Sequence, residues 1–598
     1  SSKNDRIMSN VYGEVKLFRD LRFRSVYGID NLMTQNNEFR TAIHGDGVQF
    51  NGAASATLQR YRRWNWQNLL TYDTKIALDH SLNILVGAEQ QHSVASGFGG
   101  DRRNQIDPFF NEFQGGFSEI VPLGSFLGEN FLQSYFSRIN YDFKKKYFLS
   151  LNGRRDGYSA FADKWGNFFG GSVGWVISEE DFFRNSSAVN TFSNLRIKAS
   201  YGQVGNFQGI GDFVSLSTYN SGLFGTQPTL FFANAGNPNL TWEKSKKLDL
   251  GLNVGLFRDR LSLELAYYKN DITDLILNEP QAPSRGIPGN SIATNVGSMR
   301  NTGIEITLSG NIVTGKDFSW NANFNFTTLK NEVTQLANNN ADILVGTGGL
   351  ENVSLIRVGE SIGSFYAVRT DGINQQNGQR IFVTRDSVQT RIQYNHAATP
   401  SSARWTRVAD GTVYPRGANQ ALDGEVFGPA LPTYFGGFEN TFRYKGIDLN
   451  ILMFFSGGNF VYNGTKAGLH DNRNWNNAAD AMNRWTKPGE NAMWPRVVFG
   501  DNVSNGSGIP ISNNIEKGDF IKARNITLGY TLPRALVDRA GLNSVRFYVA
   551  AFNAFTITKY TGFDPEIQTN GNSNGAPSVD RNSVPMARTF NVGLNVGF

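Results

Sequence analysis

Leu248-Asp249-Leu250-Gly251-Leu252-Asn253-Val254-Gly255-Leu256, then Phe257-Arg258-Asp259-Arg260, then Leu261-Ser262-Leu263-Glu264-Leu265-Ala266-Tyr267-Tyr268 is the stretch that decides the fold. Side chains alternate across a strand, so a segment with apolar residues at every second position has one greasy face and one wet face. Here Leu248, Leu250, Leu252, Val254 and Leu256 share a face against Asp249, Gly251, Asn253 and Gly255. After a four-residue turn, Leu261, Leu263, Leu265 and Tyr267 repeat the pattern against Ser262, Glu264, Ala266 and Tyr268. Two strands alternating in this way across a short turn read as a β-hairpin.

The pattern recurs outward in both directions. Ile304, Ile306 and Leu308 alternate with Glu305, Thr307 and Ser309, turn near Gly315, and lead into Phe318, Trp320, Ala322, Phe324 and Phe326 against Ser319, Asn321, Asn323 and Asn325. Upstream, Ser137, Ile139, Tyr141 and Phe143 turn at Lys144-Lys145-Lys146 into Tyr147, Leu149 and Leu151. Segments of this kind number about eighteen along the chain. A soluble β-sandwich also alternates, and connection lengths separate the two classes. The turns at 144–146, 257–260, 313–317 and 444–446 are tight, whereas 92–131, 202–243, 271–300, 331–432 and 457–518 are long and polar. Short and long connections in alternation are expected of a transmembrane antiparallel up-and-down β-barrel with short periplasmic turns and long extracellular loops. Tyr141, Phe143 and Tyr147, or Phe438 and Phe442, lie where apolar faces meet turns, as interfacial aromatics do. The chain ends on Phe590, Val592, Leu594, Val596 and Phe598 against Asn591, Gly593, Asn595 and Gly597, so its last strand runs into a terminal aromatic.

Composition agrees with an all-β membrane class. Charged residues are 18% and Gly numbers 64, with aromatics at 13%. Mean hydropathy is −0.35, and Ile451–Phe455 is among the longest apolar runs, far from the ~18 residues of a spanning helix. Cysteine is absent, which removes disulfides, thiolate metal sites and cysteine nucleophiles together. The five histidines follow no metal-binding spacing, and a net charge of +6 without a dense Lys/Arg block makes nucleic acid an unsuited partner. The opening Ser1-Ser2-Lys3-Asn4-Asp5 shows neither initiator Met nor export signal, as expected of a mature or truncated piece.

Several segments resemble the SusC/RagA family of TonB-dependent (TonB-linked) outer-membrane transporters. They are YFSRINYDFKKKYFLSLNGRRD at 135–156, LRIKASYGQVGN at 195–206, NPNLTWE at 237–243, NVGSMRNTGIE at 295–305, DFIKARNITLGYTLP at 519–533, and 553–566, which ends in DPE. The resemblance implies a 22-stranded barrel with a plugged lumen. With about eighteen strands expected here, residues 1–598 correspond to an incomplete TonB-dependent receptor β-barrel domain. The N-terminal extension, TonB box, plug and first strands would lie outside the chain. It further implies an outer-membrane, multi-pass active importer of nutrient oligomers, glycan or oligopeptide, that performs no chemistry on its cargo. A SusD-like surface lipoprotein would act as lid, and the TonB-ExbB-ExbD complex would supply energy through the N-terminal part. The barrel assembly machinery would read the Phe598 end, the lipid bilayer would surround the wall, and transporter–lipoprotein pairs could dimerise.

No catalytic residue, cofactor or metal ligand is assigned. Specificity in such a scaffold belongs to loops, which makes His470, Asp471, Trp475, Trp485 and Trp494 in one long loop and Phe231 and Phe232, with Asn234, in another the candidate ligand-binding residues. The competing expectation is that these residues fold the loops against their neighbours, and it is the stronger one. Asp271 with Asp274 and Asp564 with Glu566 read as turn chemistry rather than a general acid–base pair. Asp371-Gly372-Ile373-Asn374, with Asn377-Gly378, lacks the order of a calcium loop, and Ala409-Asp410-Gly411 and Asp423-Gly424 replace the family's oxygen-rich stretch. Gly97-Phe98-Gly99-Gly100 reads as loop flexibility. Two alternatives remain for the function: a siderophore or vitamin receptor without a lipoprotein lid, and a passive porin. A soluble glycan-binding protein or glycosidase would need repeats or an acid pair that are not seen.

Overall fold

The computed structural model describes residues 1–347, 351–473, 475–571 and 573–598. The chain packs as two units. One comprises Ser1–Val176, Lys198–Leu248 and Ile272–Gly297; the other comprises Ile177–Ile197, Asp249–Asp271 and Ser298–Phe598. Among the described residues, seventeen strands run nine residues or longer, against about eighteen expected.

In the first unit, β1 (Ser2–Phe18), β2 (Leu21–Arg40), β3 (Ala53–Ala77), β4 (His80–Gln105), β5 (Phe117–Phe143), β6 (Tyr147–Tyr158) and β7 (Trp165–Val176) each pair antiparallel with the next. The register confirms the two faces. Leu149 stands between Tyr141 and Val173, and Leu151 between Ile139 and Gly171, forming an exposed apolar row. The opposite face carries a ladder of polar side chains. Asn65 and Gln67 donate to Glu89 Oε1 (2.5 and 3.1 Å), and Arg154 donates to Ser134 and Asp156 (2.8 and 2.6 Å). Ser150 donates to Asn140 (2.7 Å). Tyr147 stacks on Trp175 near the turn end of β7, and Tyr135 stacks on Trp165 at its other end. Ten residues at ~3.3 Å each, tilted by ~40°, separate the two tryptophans by about 25 Å across the membrane, the height of an outer-membrane apolar band.

The tight turns are where the alternation placed them. Lys144 and Lys145 hold φ of 53° and 55°, and Phe257, Arg258 and Asp259 hold 54°, 61° and 60°. Such left-handed values let two-residue and slightly longer loops match the strand twist. The long connections are different. His92 pairs with Phe131, and the β4–β5 ladder continues to Gln105 opposite Phe117, so the connection shrinks to 106–116. Gly97–Gly100 is strand, not flexible loop. Above the lipid band an outward side chain need not be apolar, so alternation lapses while the backbone ladder continues. The glycines serve close packing there: a Cβ on Gly97 would sit 2.8 Å from the Leu58 carbonyl oxygen. Likewise Leu261–Pro280 and Ser291–Thr314 extend into the expected 271–300 connection.

A meander, in the second unit from Ser298 onward, runs from Ser291–Thr314 through Phe318–Thr328, Tyr434–Tyr444, Ile447–Gly457, Phe520–Thr531 and Ser544–Phe552 to Thr589–Gly597, each antiparallel to the next. Leu449 lies between Phe442 and Leu528, and Val549 between Leu528 and Val592, again a continuous apolar row. One polar residue on that row, Asn440, accepts a hydrogen bond from Trp320 Nε1 (3.0 Å), which satisfies it where water is absent. The connections at 331–432 and 457–518 fold. Ile343–Val345, Ser354–Ile356, Ser364–Val368 and Gly424–Gly428 form one small sheet, and Thr370–Ile373, Arg380–Val383, Arg391–Tyr394 and Trp405–Arg407 a second. Phe460–Asn463 joins Ile515–Lys517 and Val579–Asp580 in a third.

The two faces differ in tolerance. Leu149→Arg, on the apolar row near mid-band, is expected to cost about 2–4 kcal/mol in reversible unfolding from lipid vesicles, and Ser150→Arg, facing the polar ladder, less than about 1.

Candidate functional site

In the first unit, three of the quoted sequence segments, 195–206, 237–243 and 295–305, meet at one end of the wall. Glu243 accepts from Asn206 Nδ2 (2.6 Å) on one oxygen and from the Ile276 backbone N–H (2.9 Å) on the other. Asn237 donates to the Ala293 carbonyl (2.8 Å). Asn295 accepts from the Thr241 N–H and donates to the Thr241 and Asp274 carbonyls (2.9, 2.9 and 2.8 Å), mimicking a backbone pair. Trp242 is fully buried with Leu132, Tyr158, Phe161, Phe168 and Leu240, and its Nε1 donates to the Lys164 carbonyl (2.8 Å). These contacts hold the base of the 207–242 loop, and a cavity of about 640 Å³ opens beside them. Its walls include Phe131, Phe161 and Phe213 and the polar groups His92, Glu129, Asn130, Lys164 and Asp212. His92 Nε2 lies 2.8 Å from Glu129, and Asn130 donates to Asp212 (2.7 Å). Aromatic walls with a few placed polar groups are the composition of a small-ligand pocket.

The hairpin Thr218–Phe224/Gln227–Asn234 belongs to the same loop. Phe231 is exposed on it, Phe232 packs on Tyr219 at 5.5 Å, and Asn234 donates to the Leu216 carbonyl (3.0 Å). Of the two phenylalanines, Phe231 is the one presented to solvent.

The second unit places the remaining candidates in a folded cap. One core gathers Val368, Phe382, Ile392, Tyr394, Tyr414 and Ile511, and another Val353, Phe365, Ala430, Tyr462 and Val579. His470 is buried, stacked on Trp494 at 3.6 Å, with Nε2 on Asp480 and Nδ1 on the Lys466 carbonyl (both 2.8 Å). Trp494 is buried and donates to Asp480 (3.2 Å). Asp471 is buried against Arg473 and Ser507; burial pushes its carboxyl up, but those bonds hold it below the usual range. Trp485 donates to the Gln375 carbonyl (2.8 Å) and covers Gly378, whose φ of 72° and closeness to the indole leave no room for a Cβ. Four of the five loop candidates therefore hold the cap together. Trp475, 62% exposed, is the fifth and faces solvent.

The oxygens of the suspected calcium segment are engaged locally. Asp371 pairs with Arg391 (2.6 Å), and Asn374 and Asn377 accept from the Gln376 and Gln379 N–H groups (2.9 and 3.0 Å). Asp410 caps Thr412, and Asp423 is clamped by Arg416. Among the described residues no group of three or more His, Asp or Glu side chains is arranged to hold a metal ion.

A join that the sequence did not signal links the segments at 519–533 and 553–566. Lys522, 1% exposed, donates to both oxygens of Asp564 (2.9 Å each) and to Glu566, which also receives Arg524. Asp519 receives the Gly458 N–H (2.6 Å). The acid pair of DPE is thus neutralised by two cations and anchors a connection to the wall.

An alternating wall with one apolar face, aromatics at both borders of that face, tight turns on one side and folded polar connections on the other is a transmembrane β-barrel of the bacterial outer membrane. The chain belongs to the TonB-dependent receptor family: residues 5–408 match the family model "TonB dependent receptor-like, beta-barrel". It is 30% identical to TonB-dependent receptor P3 of Formosa agariphila over all of this chain and 58% of that protein. It is 27% identical to TonB-dependent receptor SusC of Bacteroides thetaiotaomicron over 90% of this chain and 51% of SusC. In fold it matches a chain of the RagAB peptide transporter structure, with a TM-score of 0.82 and 23% identity over all of this chain and 62% of that one. The similarity to SusC/RagA proteins read from the segments is borne out. The chain spans about half the length of the curated relatives it matches.

Removing one partner of a buried ion cluster strands the others. Lys522→Met is therefore expected to destabilise the protein by about 3–5 kcal/mol and to open the 559–588 connection to protease. Lys522→Met/Asp564→Asn should recover part of that loss in the same denaturation assay.

Proposed function

We propose that the protein to which this chain belongs is an active importer of nutrient oligomers, glycan or oligopeptide, across the outer membrane. It works with a SusD-like surface lipoprotein as lid and is energised by TonB with ExbB and ExbD through an N-terminal part outside residues 1–598. On this reading the chain is the larger share of a 22-stranded barrel, and the plug and first strands belong to the remainder of the protein. The observation that carries the reading is the family match over 5–408 together with the likeness to SusC along 90% of the chain.

Cargo passes unchanged, and no catalytic role is assigned to any residue. Trp475 and Phe231 are the proposed loop contacts for cargo or lid because they are exposed aromatics able to stack on sugar rings or pack on peptide side chains. Phe598, at the end of the strand Thr589–Gly597 and on the same face parity as Phe590, Val592 and Leu594, is the proposed signal to the barrel assembly machinery. Residues such as His470, Asp471, Trp485 and Trp494 act on function only through the shape of the cap.

Affinity purification of the intact protein in mild detergent is expected to recover a lipid-anchored second subunit at equal stoichiometry. Recovery of the barrel alone would favour a receptor without a lid. Uptake that persists in cells lacking TonB would point to a passive pore.

A further inference from the structure

The outward face of β3 changes character along its length. From the turn upward it presents Ile76, Thr74, Tyr72, Leu70 and Asn68, then Trp66 and Trp64, then Arg62 and Arg60. Ile76 to Trp66 spans ten residues, the same reach as Trp175 to Trp165 on β7, so Trp66 stands at the outer border of the ~25 Å band. Trp66 donates to Ser25 Oγ (3.0 Å), and Trp64 stacks on Tyr27 at 6.2 Å, an aromatic shelf of the kind that sits at headgroup level. Arg62 and Arg60 lie four and six residues beyond Trp66 on the same face.

Both arginines are exposed, and neither has a hydrogen bond or ion pair among the described residues. Their flanking positions are neutral: Asn31 and Val94 beside Arg62, Met33 and Ser96 beside Arg60. The outward acids one strand further, Asp5 and Glu129, are already paired with Lys3 (3.4 Å) and His92 (2.8 Å). On the same wall Arg155 lies over the Trp165 ring at 5.0 Å, so an arginine meets the aromatic border there as well.

We propose that Arg60 and Arg62 form a binding site for the phosphate of net-anionic lipid headgroups, whose charge no headgroup cation neutralises, in the leaflet that surrounds the outer border of the barrel. Two guanidiniums about 7 Å apart, at alternate positions on one strand face, match a diester or monoester phosphate, and guanidinium is suited to forked contact with phosphate oxygens. The apolar band below fixes the acyl chains, and the tryptophans set the depth. The site depends on the transmembrane wall and not on which cargo is imported.

Native mass spectrometry of the protein purified from membranes tests this, with phosphatidylglycerol and phosphatidylcholine of matched chains as probes. The wild type should retain phosphatidylglycerol in preference, and Arg60→Gln/Arg62→Gln should weaken its tightest site about thirtyfold at low ionic strength. Arg60→Lys/Arg62→Lys should keep the preference, and millimolar inorganic phosphate should not displace the lipid. An unchanged preference in the glutamine variant, with its heat-dependent gel shift intact, overturns the proposal, as does displacement by inorganic phosphate. If the double variant fails to fold, Arg62→Gln alone decides, with about fivefold weaker retention expected and no change contradicting the site.

Discussion

Inside a bilayer no water is present to satisfy a backbone N–H or C=O, and each such group left unpaired costs several kcal/mol. Every other feature of the wall depends on meeting that constraint with inter-strand ladders. A strand paired on both edges can only offer its two faces to its surroundings, so one must be apolar and the other is free to be polar. Leu149, Leu151, Leu449, Leu528 and Val549 occupy the first kind of face; Asn65, Glu89, Ser150 and Arg154 occupy the second. Where a polar group intrudes on the lipid side, as Asn440 does, a neighbour supplies its partner.

Above the aromatic border the constraint lifts, and the chain solves a different problem. Long connections must be ordered without a thick apolar core, so side chains bind backbone, or one another, across sequence. Asn295 against Thr241, Asn237 against Ala293, Glu243 against Ile276, and Lys522 against Asp564 each tie one loop base to another segment. Two aromatic–aliphatic cores complete the cap. Such buried ionic and amide contacts add little net stability over apolar packing, but losing one partner is costly, so they act mainly to specify a single loop arrangement.

The wall was legible because its signal is local: period two, turn residues, and aromatic borders can all be read residue by residue. Its boundaries were not, since beyond the lipid band nothing forces alternation; the stretch from Val94 to Gly100 continues as strand on backbone ladders alone. The cap was less legible still. His470 and Trp494 look like ligand contacts in isolation, and only packing reveals that they face each other. The Asp564–Glu566 pair is bonded to Lys522, which lies 42 residues away from Asp564, and no spacing rule connects them. Trp475 and Phe231 retain their exposure because neither contributes to a core.

A transmembrane wall with strict two-residue periodicity is the central claim, and the absence of cysteine makes it directly measurable. Single substitutions from Tyr147→Cys through Asn152→Cys, each labelled with an environment-sensitive fluorophore in lipid vesicles, should alternate. Labels at 147, 149 and 151 should be quenched by a lipid-borne quencher, and those at 148, 150 and 152 by an aqueous one. Uniform aqueous quenching at all six positions would contradict the barrel.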